Sequence, residues 1–226
     1  MSFSLIVPAA ANKPEFVGDR RMMPNIFKLN EYGLSLCVAA VMELDHTMFD
    51  AIYFTVLKEH DAFFGVVDLL NAQLAHLNWC KAKVVVLDYP TTSQAETVYE
   101  TIRQENITGP IFIKDADSVF NVDIQIQNGV VVYPLENLTS VNPQHKSYVA
   151  VDDMMYITNI IEKLVIDHYF NAGGYAFEDA AVFEHYYNRF FAKPGLYMSH
   201  IVYAMLLDGH IFRPFVADKY IDCETI

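Results

Sequence analysis

The chain has few of the residues on which several classes of protein depend. Its three cysteines, Cys37, Cys80 and Cys223, are odd in number and show no C-x-x-C spacing. This argues against a disulfide scaffold or a structural zinc site and favours a reducing cytoplasm. No apolar run approaches the ~20 residues that cross a bilayer. The run at residues 3–7 has no basic flank before it and stops at Pro8, so it indicates a first strand rather than a secretion signal.

Basic residues are also scarce. Fifteen Lys and Arg stand against 28 Asp and Glu in 226 residues, which gives a net charge of −13. Such a surface repels phosphate polymers and anionic lipid head groups, so we expect neither a nucleic-acid partner nor membrane attachment. A small anionic ligand stays compatible with this charge, because local groups or a divalent cation can neutralise it.

Apolar residues make up 53% of the chain, which is enough for one well-packed domain. Short apolar runs at residues 5–10, 51–57, 83–87 and 110–113 are typical of strands buried on both faces of a parallel sheet. Helical stretches at residues 34–44, 61–77 and 94–104 separate them, and Ser93 with Glu96 is a capping box for the last one. This alternation predicts an α/β fold with right-handed crossovers.

The pattern changes after residue 113. Asn128-Gly129 is a turn signal, and the following runs predict antiparallel or mixed strands at residues 130–133, 146–151, 156–162, 175–177, 211–216 and 220–221. Helices are predicted at residues 178–191 and 198–207. No linker separates the two parts, so we expect one three-layer domain over residues 1–226, built on a mostly parallel mixed sheet.

The clearest candidate for chemistry is Asp115-Ala116-Asp117-Ser118, directly after a predicted strand. Ligands of open α/β sheets lie beyond the carboxyl ends of the strands, and two carboxylates there suit Mg²⁺ or Mn²⁺. Such an ion would bridge the phosphates of a nucleotide. The alternative is a solvated acidic turn. Asp222, near the end of the chain, matters only if the fold brings it beside Asp117.

The loop after the first strand is the second candidate. Its small residues, including Ala10 and Ala11, let a backbone approach a ligand closely, although no glycine comes before Gly18. Arg20 and Lys28 follow and are either positive charges for an anionic ligand or ordinary surface cations. Signatures of covalent hydrolysis, dinucleotide binding and P-loop folds are absent from the sequence.

Taken in order, the motifs resemble those of the nucleotidyltransferase-like branch of the GT-A fold, which includes sugar-phosphate and choline-phosphate nucleotidyltransferases. That family has a P-A-A-G-x-G-x-R-F loop, a P-K-P-L segment, a Q-G-T-A-like helix start, an acidic metal motif, E-K-P, G-x-Y-x-F and a late D-x-G-T. The matching segments here are residues 8–16, 24–29, 93–98, 115–118, 162–163, 174–177 and 222–225.

The resemblance implies an enzyme that joins a nucleoside triphosphate to a small phosphorylated sugar or alcohol and releases pyrophosphate, for surface-polysaccharide precursors. It implies a nucleotide-binding half at residues 1–127 and an acceptor-binding half at residues 128–226. For the metal, Mg²⁺ or Mn²⁺, it implies Asp117 and Asp222 with Asp115 in support. For the nucleotide it implies Ala10, Ala11, Gln94 and Ala95, and for the acceptor Glu162, Lys163 and Gly174. It implies Lys28 and Arg20 as catalytic cations.

The sequence departs from the family at four positions of the signature loops. The loop glycines fall on Ala11 and Lys13, the arginine falls on Glu15, and the lysine of P-K-P-L falls on Asn25. The late motif has Glu224 in place of glycine, and the chain stops there, whereas relatives usually continue. A fusion to a further domain is therefore one expectation, and a homo-oligomer is a separate one.

Three hypotheses follow from this comparison. The first is a metal-dependent nucleotidyltransferase. The second is a glycosyltransferase of the same fold that uses a nucleotide-sugar and does not need the altered loop. The third is a catalytically inactive relative that keeps the fold and serves as a binding or interaction module.

Overall fold

The structure is a computed structural model that describes residues 2–10, 16–17, 20–138, 143–190, 193 and 195–223. Its strands are β1 (Ser4–Pro8), β2 (Phe16–Val17), β3 (Arg20–Arg21), β4 (Ala51–Leu57), β5 (Ala82–Leu87), β6 (Ile111–Lys114), β7 (Ser118–Asn121), β8 (Gly129–Pro134), β9 (Ser147–Val151), β10 (Ile157–Glu162), β11 (Tyr169–Phe177), β12 (Arg213–Val216) and β13 (Lys219–Asp222). Its helices are α1 (Leu36–Ala39), α2 (Lys58–Phe64), α3 (Val66–His76), α4 (Gln94–Glu105), α5 (Ala180–Arg189) and α6 (Met198–Leu207).

Nine of these strands form one sheet, ordered β10-β9-β11-β6-β1-β4-β5, with β8 added to β11 and β12 to β8. Strands β6, β1, β4 and β5 pair in parallel, as their apolar sequences predict. Strand β11 pairs antiparallel with β6, β8 and β9. The predicted three-layer α/β domain on a mostly parallel mixed sheet is confirmed.

The sheet separates two hydrophobic cores. In β1, Leu5 and Val7 face one core and Ile6 faces the other, because successive side chains of a strand point to opposite faces. Helix α3 covers the first core, and α4, α5 and α6 cover the second. No helix among the described residues is long and apolar enough to cross a membrane.

Two helix predictions need correction. The stretch at residues 61–77 is two helices, α2 and α3, because Gly65 lies between them in the left-handed conformation with φ of 62°. The stretch at residues 34–44 contains only the four-residue helix α1, and turns follow it. In the second case tertiary packing, rather than helix propensity, sets the backbone of an apolar segment whose Val38 and Val41 are fully buried.

A strand was also missed after the acidic motif. Residues 118–121 form β7, which pairs antiparallel with β13 outside the main sheet. Its four residues are too few to show a period in the sequence. This two-stranded ribbon places residues from the middle of the chain beside residues near its end.

Candidate functional site

A polar cleft of about 350 Å³ lies at the carboxyl end of β6. This is the position at which open α/β sheets bind ligands. The residues that line it come from the turn after β6, from β7, β9, β10, β11 and β13, from the starts of α4 and α6, and from the loops before β9 and after β10. They are Gln94, Asp115, Asp117, Ser118, Gln144, His145, Lys146, Ser147, Glu162, Lys163, Asn171, Ala172, Gly173, Tyr175, Tyr197, Met198, Tyr220 and Asp222. Six of the twelve predicted site residues are among them.

Asp117 and Asp222 both reach this cleft through the β7–β13 ribbon. Asp222 is paired with Ser118, the residue after Asp117. The backbone N–H of Cys223 donates to the carbonyl oxygen of Asp117 at 2.8 Å. Two aspartates from distant parts of the sequence are therefore neighbours across one ribbon.

Lys146 forms an ion pair with Asp222. Its ammonium donates to Asp222 Oδ2 at 2.7 Å and to the Tyr220 hydroxyl at 2.6 Å. It also lies 5.2 Å from the centre of the Tyr220 ring and 5.9 Å from that of Phe170. Both members of the ion pair are largely buried, with 18% and 23% of their side chains exposed, so solvent screens this pair less than a surface pair.

A second lysine, Lys114, is fully buried beneath the acidic motif. Its ammonium donates to the carbonyl oxygens of Asp115 and Ser118, both at 2.7 Å, and to Ser118 Oγ at 2.9 Å. It also lies 4.3 Å from the centre of the Phe120 ring. Burial lowers the pKa of Lys114 to about 8, although Asp115 and Asp117 act to raise it. Lys114 thus holds the turn that presents both aspartates.

Asp115 lies at the base of the cleft and is tightly held. Gln94 Nε2 donates to its Oδ1, and its backbone N–H donates to the Gly173 carbonyl at 2.8 Å. Burial, and then the nearby Asp117 carboxylate, raise the pKa of Asp115 to about 6, against the opposing effects of Lys114 and Gln94. Asp115 therefore keeps its proton to a higher pH than a solvated aspartate does.

Glu162 and Lys163, at the end of β10, line another wall of the cleft. Ser199 Oγ donates to Glu162 Oε2 at 2.8 Å, and Lys163 Nζ donates to the Tyr197 hydroxyl at 2.8 Å. The Lys163 N–H donates to the Lys146 carbonyl at 2.8 Å. That backbone contact joins the wall to the segment that carries the partner of Asp222.

A polar network built on β11 completes the floor. Asn171 Nδ2 donates to the Tyr175 hydroxyl and, at 3.1 Å, to Ser147 Oγ. Its Oδ1 accepts from the Gly173 N–H at 2.9 Å. Burial, followed by the Asp115 charge, raises the pKa of Tyr175 well above its usual value, so its hydroxyl stays protonated. This network holds the irregular part of β11 at which its pairing with β8 shifts register.

Four predicted site residues do not line the cleft. Ala95 is fully buried in the second core, and Ala10 is fully buried against Leu57 and Leu87. A Cβ on Gly174 would meet Val131, Phe120 and Phe112 within 3.0 Å, so this glycine faces the core. Lys28 is exposed, and its ammonium donates to Asn25 Oδ1 at 2.6 Å.

The other two predicted site residues, Ala11 and Arg20, have no described side chain. Ala11 lies outside the described residues. Arg20 belongs to β3, of which only the backbone is described. Their roles at the site stay predictions.

Three side chains or positions of the site were not singled out from the sequence as functional, namely Lys146, Lys114 and Gly173. Lys114 had a signal, since a charged residue at the end of a buried apolar run needs polar partners nearby. Lys146 had none, because its partners Tyr220 and Asp222 are distant in the sequence. The family resemblance implies Gly174 for the acceptor pocket, whereas Gly173 is the glycine that lines the cleft.

The carboxylates of the cleft are the side chains that could bind a divalent cation. Among the described residues, no three His, Cys, Asp or Glu side chains form a group that could hold a metal ion by themselves. Mg²⁺ at phosphate sites is commonly bound by one or two protein carboxylates together with the phosphates of the substrate. Asp117 and Asp222 fit that arrangement, while the ion pair of Asp222 with Lys146 competes with it.

The chain matches known proteins in structure but not by sequence. No protein-family model matches the chain, and a sequence search of curated proteins also gives no match. Solved structures do match. A nucleoside-diphosphate-sugar pyrophosphorylase from Vibrio cholerae superposes with a TM-score of 0.71 at 16% identity, over 97% of this chain and 95% of that one.

Two further structures superpose equally well. An inositol-1-phosphate CTP transferase from T. maritima has a TM-score of 0.71 at 17% identity, over 98% of this chain and 89% of that one. A putative glucose-1-phosphate thymidylyltransferase from Bacillus anthracis has the same TM-score at 15% identity, with the same coverage of both chains. The chain therefore has the fold of nucleotide-sugar pyrophosphorylases and sugar-phosphate nucleotidyltransferases, as the order of its motifs implies.

Proposed function

We propose that the protein is a nucleotidyltransferase that joins a nucleoside triphosphate to a small phosphorylated sugar or alcohol and releases pyrophosphate. The observation that carries the proposal is the meeting of Asp117 and Asp222 in one cleft at the carboxyl end of β6. The fold is shared with structures described as CTP transferase, thymidylyltransferase and pyrophosphorylase. A role in surface-polysaccharide precursor synthesis in the cytoplasm is part of this proposal.

Asp117 and Asp222 would hold Mg²⁺, or Mn²⁺, with Asp115 in support. When bound, the ion supplies positive charge between the phosphates of the triphosphate. Asp115 accepts a hydrogen bond from Gln94, so its part is to fix the position of Gln94 beside the ion. The carboxylates thus have different roles set by their surroundings.

The nucleotide would lie along the carboxyl ends of β1 and β5, toward the start of α4. Ala10 and Ala95 have buried side chains, so any contact from them comes from backbone groups. For Ala95 this is an N–H group of the first turn of α4. Gln94 lines the cleft and offers a polar side chain. Ala11, Lys28 and Arg20 belong to this proposal as neighbours of the triphosphate.

The acceptor would bind on the wall formed by Glu162 and Lys163, near Gly173 and Gly174. The Lys163 ammonium provides a charge-assisted contact for the acceptor phosphate. A phosphate oxygen of the acceptor attacks the α-phosphorus, the bond from that phosphorus to the bridging oxygen breaks, and pyrophosphate leaves with the electron pair. A phosphate monoester dianion is already a nucleophile, so the step requires no general base.

A binding protein of the same fold without turnover is the second candidate. The specific observation that favours it is Asn25, which stands at the lysine of the P-K-P-L segment and takes the Lys28 ammonium as a hydrogen-bond donor. Lys28 is then directed to a surface amide. Binding without pyrophosphate release is the result that would favour this candidate.

The test measures binding and turnover separately. Calorimetry with CTP, UTP and UDP-sugars, with and without Mg²⁺, identifies the nucleotide, and a pyrophosphate-release assay with a panel of sugar and alcohol phosphates identifies the reaction. Asp117→Ala should abolish metal-dependent nucleotide binding and keep the free energy of unfolding within ~1 kcal/mol of the wild type. Asp123→Ala, an exposed acidic residue of the same segment, is the matched control and should bind normally.

Several outcomes would contradict the proposal. Binding of UDP-sugars but of no triphosphate would favour a glycosyltransferase. Nucleotide binding that neither needs a metal nor responds to Asp117→Ala would remove the role of the two aspartates. If millimolar nucleotide did not change the thermal unfolding midpoint, nucleotide binding would be excluded and only the fold assignment would remain.

A further inference from the structure

The lysine that contacts Asp222 is held in place from several sides. Its ammonium has two oxygen partners, Asp222 Oδ2 and the Tyr220 hydroxyl, and it lies beside the rings of Tyr220 and Phe170. Those rings pack edge to face with their centres 5.0 Å apart. Lys146 therefore lies in a formed pocket next to the proposed metal position.

Its backbone is fixed as well. The Lys146 carbonyl accepts from the Lys163 N–H at 2.8 Å, and Ser147, the next residue, begins β9 and pairs with Glu162. With the backbone held, a change in the position of the ammonium requires only rotation of the Lys146 side chain. Its four-carbon stem lets the ammonium leave one oxygen for another within the same cleft.

The other buried lysine behaves differently. The Lys114 ammonium is bound by the carbonyl oxygens of Asp115 and Ser118 and by Ser118 Oγ, and no carboxylate oxygen is within hydrogen-bond distance of it among the described residues. A cation that bound Asp117 and Asp222 would compete with Lys146 and not with Lys114. Lys146 is thus the buried lysine that occupies a carboxylate oxygen of a proposed metal ligand, Asp222.

We propose that Lys146 is a resident counter-ion that closes the Asp222 ligand position to free divalent cations. The site opens when the triphosphate arrives, because its phosphate oxygens offer the Lys146 ammonium a new partner and release Asp222. This inference rests on the proposed function in taking Asp222 as a metal ligand. It predicts a protein that binds divalent cations weakly alone and much more tightly together with nucleotide.

The physical reason is repulsion between two cations at one carboxylate. Like charges a few ångströms apart in a partly buried site repel strongly, since the effective dielectric constant there is far below that of water. A metal ion must therefore displace the ammonium from Asp222 Oδ2 or bind beside it. Removing the ammonium while keeping the volume of its stem removes this competition.

The experiment is a titration of the nucleotide-free protein with Mn²⁺, followed by electron paramagnetic resonance and by calorimetry. Lys146→Met should bind Mn²⁺ at least about tenfold more tightly than the wild type. Lys163→Met is the matched control, because it removes a positive charge from the same cleft without touching Asp222, and it should change the affinity less than about threefold. The double variant Lys146→Met with Asp222→Asn should lose the gain.

The proposal is overturned if Lys146→Met binds Mn²⁺ no more tightly than Lys163→Met, or if the gain survives in the double variant. Circular dichroism checks that each variant is folded, and Lys146→Gln provides the same comparison if the methionine variant is not. Because these titrations contain no nucleotide, their result stands apart from the proposed function. Absence of nucleotide binding by the wild type would refute that function and leave the Mn²⁺ comparison valid.

Nucleotide provides a second readout of the same idea. Adding the triphosphate that binds best should increase the Mn²⁺ affinity of the wild type by a larger factor than that of Lys146→Met, because the variant has no ammonium to release. Equal factors in the two proteins would contradict the proposed exchange of partners.

Discussion

At the scale of single residues, the site depends on close contacts at the base of the cleft. Gly173 has φ of 92°, a left-handed conformation that favours glycine, and its carbonyl accepts from the Asp115 N–H. A Cβ at this position would lie 2.7 Å from Asp115 Oδ2. The backbone of β11 and the acidic motif can therefore approach only because residue 173 has no side chain.

The first prediction concerns this contact. Gly173→Ala should lower the free energy of unfolding by at least about 2 kcal/mol, because a steric clash adds to backbone strain. Gly209→Ala is the matched control, since Gly209 has φ of 86° with nothing within 4 Å of its added Cβ, and it should cost about 1 kcal/mol. Urea unfolding measures both. Equal losses would mean that the contact with Asp115 has no energetic consequence.

The second prediction concerns the proton of Asp115. Its pKa is raised from 3.8 to about 6 in the folded chain, so between pH 4 and 6 the folded state binds more protons than the unfolded state. The contribution of Asp115 to the free energy of unfolding therefore falls by up to about 3 kcal/mol as the pH rises through that window. Above the window this contribution is constant.

Asp115→Asn keeps an oxygen that can accept from Gln94 and removes the titration. The difference in unfolding free energy between the variant and the wild type should thus grow in favour of the variant from pH 4 to pH 6. Urea unfolding with a chelator present gives this difference at each pH. A difference that does not change with pH would show that Asp115 titrates normally.

At the scale of elements, α4 brings Gln94 to the cleft and is fixed at its start. Ser93 Oγ accepts from the Glu96 N–H at 3.2 Å, as the sequence predicts. The Glu96 carboxylate reaches back to the backbone N–H and hydroxyl of Thr92 rather than to the N–H of Ser93. The helix therefore begins at a defined residue, and this sets the direction of Gln94.

The third prediction follows from this cap. Ser93→Ala should cost about 1 kcal/mol of stability and also weaken nucleotide binding, since the first turn of α4 then frays. Asp179→Ala removes the equivalent cap of α5, where Asp179 accepts from the Ala181 N–H at 2.9 Å, and should cost a similar amount without affecting binding. Urea unfolding and nucleotide calorimetry together separate the two effects. Equal binding by both variants would exclude a role for the start of α4.

At the scale of the whole molecule, one sheet serves two cores. Trp79 packs against the first core, and the fully buried Phe183 belongs to the second, with its ring centre 5.2 Å from that of Phe177. Because β1, β6 and β11 contribute residues to both cores, loss of packing on one face should reach the other. We expect residues of both proposed halves to unfold as one unit.

The fourth prediction tests this cooperativity. Phe183→Ala should lower the unfolding free energy by about 3–5 kcal/mol and shift the Trp79 fluorescence transition and the far-ultraviolet circular dichroism transition together. Leu207→Ala, at an exposed residue of α6, is the control and should change stability by about 0.5 kcal/mol or less. Separate transitions by the two probes would indicate two independently folding halves.

The sequence by itself determined the α/β class, the four parallel strands, the cap of α4 and the place of Asp115 and Asp117 at the end of a strand, because these follow from local periods and from residues adjacent in the chain. The tertiary structure decided that Asp222 lies beside Asp117, since the two meet only through the β7–β13 ribbon. Only the tertiary structure decided that α2 and α3 are separate, that Gly173 rather than Gly174 lines the cleft, and that Lys146 is bound to Asp222. These features depend on contacts between segments distant in the chain, for which neither propensity nor spacing carries a signal.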